Sequence, residues 1–111
     1  MRRYCKDIGD KGEEFAAFIL EQNGYSILER NFRSAFGEID IIATKGGVLH
    51  FIEVKTRTGD EYGRPAEAVT ENKARVIRKV SECYTARRRV SWKRLSFDVF
   101  EVMTDLIEDC M

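Results

Sequence analysis

The chain has one proline, one histidine and one tryptophan among 111 residues, and it has no excess of either charge, with 19 basic and 19 acidic side chains. Each shortage excludes something. No apolar run approaches the roughly 18 residues that a membrane-spanning helix needs. The amino-terminal "MRRYCKDIGDKGEE" has basic residues without an apolar core behind them, so export is not expected. Cys5, Cys83 and Cys110 are odd in number and match neither a metal-binding spacing nor CxxC. They are expected to be reduced thiols in the cytoplasm. Zero net charge argues against a general nucleic-acid-coating protein. There is no linker, repeat or low-complexity tract, which leaves one domain over 1–111. The only paired glycines, Gly46-Gly47, read as a hairpin turn and not as a phosphate-cradling loop, so nucleotide phosphohydrolysis lacks support.

Charge is unevenly spread. From Lys73 to Arg94 there are nine Lys or Arg residues and one acid, Glu82, whereas from Asp98 onward only acids occur. A solvated helix face accounts for this, and so does a local basic patch on a neutral body.

Periodicity predicts a helix over 10–23, with Asp10 and Glu13 spaced as a capping box and Gly24 as the stop. Strands are predicted over 25–32, 38–44 and 48–55, the last two joined by Gly46-Gly47. "RTGDEYGRP" (57–65) reads as a loop. A long helix follows from Thr70, a plausible N-cap, to Arg88, with Val76, Ile77, Val80 and Tyr84 on one stripe. "RLSFDVFEV" (94–102) is the last strand. The order is αβββαβ, an α/β class with a mixed sheet flanked by helices.

A two-residue turn at Gly46-Gly47 pairs Lys45 with Val48. It then sets Ile42 against Phe51, Asp40 against Glu53, and Glu38 against Lys55. Alternation puts these four charges on one face with Ile42, Leu49 and Phe51. Like charges directly opposed on a sheet are destabilising. The arrangement makes sense with a cation between the carboxylates, since Mg²⁺ is held at about 2.0–2.1 Å by one or two carboxylates with waters and phosphate oxygens. Lys55 on the same side reaches a phosphate or a water, which is a phosphoryl-transfer geometry. The other reading is a solvated face with a surface Glu38–Lys55 pair, and a one-residue slip would set Asp40 against Val54 and dissolve the cluster.

Asp40, twelve intervening residues, then Glu53-Val54-Lys55 resembles the PD-(D/E)xK signature of restriction-endonuclease-like nucleases. The spacing is similar to that of archaeal Holliday-junction resolvases. More closely, "KGEEFAAFILEQNGY", "RNFRSAFGEIDIIA", "FIEVKTR" and "AVTENKARVIRK" resemble the YraN family of uncharacterised bacterial proteins, over about residues 9 to 103. The resemblance implies a restriction-endonuclease-like αβββαβ core. It also implies hydrolysis of phosphodiester bonds in structured or branched nucleic acid, with Mg²⁺ or Mn²⁺ and a water nucleophile, leaving a 5′-phosphate. Two departures stand out. Ile39 occupies the motif's proline position, and "TDLIEDCM" replaces the usual closing strand.

By this resemblance Asp40 and Glu53 are metal ligands, the Val54 carbonyl is a further oxygen, and Lys55 orients the water and offsets phosphate charge. Glu13, at the border of its helix's apolar face, matches an acid that completes the site in related nucleases; the capping box is its other reading. Glu38 stands second to these. Arg30, Arg33 and Arg57 flank the strand ends as phosphate contacts or as ordinary exposed arginines. Lys73 sits in a helix's first turn, where the dipole disfavours a cation. A phosphate contact or a snorkelling stem explains it. His50 points away from Glu53, and Trp92 is expected to pack or to stack on a base. The partner expected is nucleic acid, DNA foremost, with a possible homodimer and no membrane. The rival expectation is a binding or scaffolding module of the same fold without activity of its own.

Overall fold

A computed structural model of the chain describes residues 2–57, 71–88 and 92–103. Its elements are α1 (Arg2–Gln22), β1 (Ser26–Ser34), β2 (Gly37–Lys45), β3 (Val48–Arg57), α2 (Glu71–Arg88) and β4 (Arg94–Met103). This is the αβββαβ order expected. The four strands form one sheet in the order β1-β2-β3-β4. The first three are an antiparallel meander and β4 runs parallel to β3, so the sheet is mixed.

The Gly46-Gly47 hairpin forms as its dipeptide requires. Both glycines take positive φ, 60° and 79°, which the tight two-residue turn demands and which L side chains resist. Lys45 pairs with Val48, Ile42 with Phe51 and Ile41 with Ile52. The register is therefore the unslipped one.

The helix start differs from expectation. α1 begins at Arg2 and Asp10 lies inside it, so Asp10 is not an N-cap and the capping box does not start this helix. Only Gly9 weakens the stretch before it, and one glycine costs about 1 kcal/mol relative to alanine without ending a helix. The stop is where it was expected. Gly24 takes φ 90°, and the Tyr25 N–H donates to the Leu20 carbonyl at 3.0 Å, a left-handed C-terminal cap. The 58–65 part of the predicted loop, the Thr70 cap and the altered tail after Met103 lie outside the described residues.

The helices cover opposite faces of the sheet. On one side Ala16, Ala17 and Leu20 of α1 pack on Ile41, Ala43 and Ile52. Gly12 lets α1 come close to β3, since a Cβ there would meet Thr56 Oγ1 at 2.3 Å. On the other side Val80 and Tyr84 of α2 pack on Phe32, Ile42, Leu49 and Phe51, with Tyr84 edge-on to both Phe32 and Phe51. The stripe predicted on α2 is the stripe that is buried.

Ile39 departs from strict alternation. It is buried on the α2 side with Phe32 and Ile42, although Ile41 faces α1. Here β2 extends past its ladder with β3 and follows β1. β1 carries a bulge between Ile27 and Glu29 and a left-handed Asn31 at φ 54°. Such irregularities bend a strand and increase its twist.

Candidate functional site

A parallel strand pair needs a crossover connection, and α2 belongs to the crossover from β3 to β4. The connection brings the first turn of α2 over the carboxyl-terminal half of β3, beside the end of β2 that outruns its ladder. A cleft of about 170 Å³ opens there between helix and sheet. Asp40, Glu53 and Glu38 stand along it, with Lys73 and Arg78 on the helix side.

The β2–β3 ladder ends at Ile41–Ile52, and just beyond it Asp40 and Glu53 both stand along the cleft. At this point the Asp40 carboxylate takes up a backbone donor, since the Val54 N–H donates to Asp40 Oδ2 at 2.8 Å. Burial pushes the Asp40 carboxyl above its usual range; the Val54 hydrogen bond opposes this, while the charges of Glu53 and Glu38 add to it.

Glu53 is only 25 % exposed at its side chain and accepts a bond at Oε1 from the Lys73 ammonium. Lys55 lies on the same carboxylate oxygen at 3.9 Å. Glu53 Oε2 is buried and has no hydrogen-bond partner among the described residues. Such orphans are rare in folded proteins and call for a ligand, water or ion. Lys73 is half-buried, and solvent limits the stabilisation from its pair with Glu53 to roughly 1 kcal/mol.

The remaining predicted residues fall in different places. Glu38 pairs with Arg33 at 3.5 Å, its ladder neighbour on β1, and not with Lys55 as the opposed register suggested. Arg33 remains 79 % exposed at its side chain, and Arg30 is exposed on β1. The Arg57 side chain lies outside the described residues. Glu13 is half-buried on α1, on the far side of the sheet, and is not among the residues that line the cleft. Among the described residues, no three His, Cys, Asp or Glu side chains are grouped as a ready metal-binding set. The cleft therefore offers a pair of carboxylates.

His50 faces away from Glu53, as expected. On the α1 side its Nδ1 bonds Asp98 Oδ2 at 2.8 Å, and the Ser96 hydroxyl also reaches Asp98. This staples the parallel β3–β4 pair. Trp92 is half-buried against the α2-side core, a packing role.

The sequence placed Ile77 on a buried helix stripe and Phe97 and Val99 in the last strand, but gave none of the three a place in the site; all three line the cleft beside the acids. A signal existed in "RLSFDVFEV", whose alternate Leu95, Phe97 and Val99 are apolar on one face. Their position beside Phe51 and Glu53 depends on the parallel register, which a crossover does not reveal in advance.

Fold and site together define a mixed α/β protein with a carboxylate pair in a cleft between a crossover helix and its sheet. The chain belongs to the uncharacterised protein family UPF0102, whose model matches residues 12–102. It is 47 % identical over 106 residues to a UPF0102 protein of Clostridium botulinum, covering 94 % of this chain and 86 % of that one. A Clostridium kluyveri relative is 43 % identical over 109 residues, covering 98 % and 89 %. One from Dictyoglomus turgidum is 42 % identical over 98 residues, covering 88 % and 83 %. No helix among the described residues is long and apolar enough to cross a membrane.

Proposed function

We propose that this chain is a divalent-metal-dependent nuclease-like protein that hydrolyses phosphodiester bonds in structured or branched nucleic acid, DNA foremost. One observation carries the reading: Glu53, neighbour to Asp40 in the cleft, keeps a buried carboxylate oxygen without a partner among the described residues. Burying a charged oxygen unpaired is costly, and a cation shared by two carboxylates relieves that cost. The donor set is all oxygen, which suits Mg²⁺ or Mn²⁺.

Asp40 and Glu53 would hold the ion, with the Val54 carbonyl as a further oxygen. Bound there, the ion supplies Lewis-acid polarisation of the phosphoryl group and a more acidic water. Lys55 orients the attacking water and offsets charge that develops on the phosphate. Arg30 and Arg33 stand as contacts to the flanking phosphates, and Lys73 is released from Glu53 to join them. The reading rests on the carboxylate pair and does not depend on Glu13.

The test is titration of wild type and Asp40→Asn with Mg²⁺ and Mn²⁺ by calorimetry, followed by cleavage assays on branched, duplex and single-stranded DNA. Metal binding lost in the variant, with metal-dependent cleavage by wild type, supports the reading. The Lys73–Glu53 pair favours a second one, a nucleic-acid-binding module without turnover, because an internal ammonium already offsets part of the Glu53 charge. Equal DNA binding by both proteins, with no cleavage by wild type in either metal, would select it.

A further inference from the structure

The cleft has an apolar half that the phosphate chemistry does not use. We propose that this half is a nucleobase pocket, taking one unpaired base next to the phosphate that a cation at Asp40 and Glu53 would hold; only the position of that phosphate rests on the nuclease reading.

Phe97 is 48 % exposed, yet its ring stacks on buried Phe51 with centroids 5.6 Å apart and planes at 25°. One face of the outer ring is thus left open. Ile77 and Val99 complete the apolar lining, and in the β3–β4 register Val99 is the neighbour of Glu53. The apolar half is therefore continuous with the acids. At about 170 Å³ the cleft is below the roughly 300 Å³ at which pockets for drug-sized ligands begin. A flat heteroaromatic ring suits it better than a whole nucleotide or a peptide helix.

Charge identifies the chain to which the ring belongs. Lys73 and Arg78 line the helix side of the cleft. This rim complements phosphates on either side of an inserted base. Stacking on an aromatic ring discriminates little among bases, because each has a π face. It does discriminate against a continuous duplex, whose bases must leave the stack to reach a pocket. The substrate class is then an unpaired nucleotide beside the scissile phosphate, such as a branch point or a single-stranded end.

The competing occupant is a second copy of the chain, since Leu95 and Met103 extend the exposed apolar stripe along β4, an edge strand among the described residues.

The test uses a single-stranded oligonucleotide carrying 2-aminopurine, titrated with the full chain in EDTA. Wild type is expected to quench the probe, and the same strand fully paired is expected not to be quenched. Phe97→Leu keeps apolar bulk but removes the ring, and should weaken binding about tenfold at an unchanged melting temperature. Leu95→Ala, on the same face but outside the cleft lining, should behave as wild type. Absence of quenching, equal quenching of the paired strand, or undiminished quenching by Phe97→Leu overturns the proposal. So does a wild-type dimer in light scattering that Phe97→Leu dissociates while oligonucleotide binding persists. Without metal the readout is independent of cleavage, so an inactive protein leaves the pocket standing. Equal cleavage of fully paired DNA would remove the pocket and keep the nuclease reading.

Discussion

The ammonium of Lys73, in the first turn of α2, bonds the carboxylate of Glu53 on β3, 20 residues away in sequence. A helix start is electrostatically unfavourable for a cation, so the acid beneath it compensates. The bond also sets an internal cation against the carboxylate pair proposed to hold a metal.

Competition between the two cations is measurable. Lys73→Met should strengthen Mn²⁺ binding by roughly threefold, the scale expected for a partly exposed charge pair, and should weaken DNA binding at low salt. Calorimetry on both proteins decides it. Weaker metal binding in Lys73→Met would mean that the ammonium supports the site and does not compete for it.

Asp40→Asn should abolish metal binding while leaving the fold intact, because an amide oxygen still accepts from the Val54 N–H. The pH dependence has a definite sign. Burial raises the pKa of the folded carboxyl above its ordinary value of 3.8, so the folded state binds that proton more tightly. Its contribution to stability therefore rises as the pH falls through the raised pKa, and is complete below the unfolded value. Asp40→Asn should be at least as stable as wild type at neutral pH, with its advantage shrinking toward acid. Melting curves across that range test it, and an advantage that grows toward acid would contradict it.

Lys55→Ala should eliminate metal-dependent cleavage at unchanged melting temperature if Lys55 acts on the attacking water. A chain that only binds would show a modest loss of affinity and a salt slope smaller by about one. Cleavage rates and salt titrations on the same preparation separate the two outcomes.

Tyr84 offers a test of the core. Its hydroxyl is buried and has no hydrogen-bond partner among the described residues, and burial raises its pKa. Removing an unsatisfied polar group is neutral or stabilising, within about 1 kcal/mol. Tyr84→Phe should therefore melt at or above the wild-type temperature. A clear loss of stability would reveal an acceptor for that hydroxyl.

Local chemistry made much of this protein legible in its sequence. Paired glycines can meet the positive-φ demand of a tight hairpin, and that turn settles the facing of Ile42 with Phe51, in a ladder that ends at Ile41–Ile52, one step short of Asp40 and Glu53. Gly24 marks the end of α1 for the same conformational reason, and the 3.6-residue stripe of α2 names its buried face. The start of α1 was not legible, because Asp10 and Glu13 have capping-box spacing inside a helix that nothing upstream interrupts.

Long-range geometry decided the rest. The parallel register of β4 on β3, which brings Phe97 and Val99 beside Phe51 and Glu53, depends on how α2 crosses the sheet. The Lys73–Glu53 bond and the assignment of α1, with Glu13, to the opposite face follow from the same crossover and from twist at the end of β2. Turns and periodicities are set by neighbours within a few residues, so the sequence alone determined the elements and the hairpin pair. Contacts across a crossover depend on how whole elements pack, so only the tertiary structure decided what surrounds that pair.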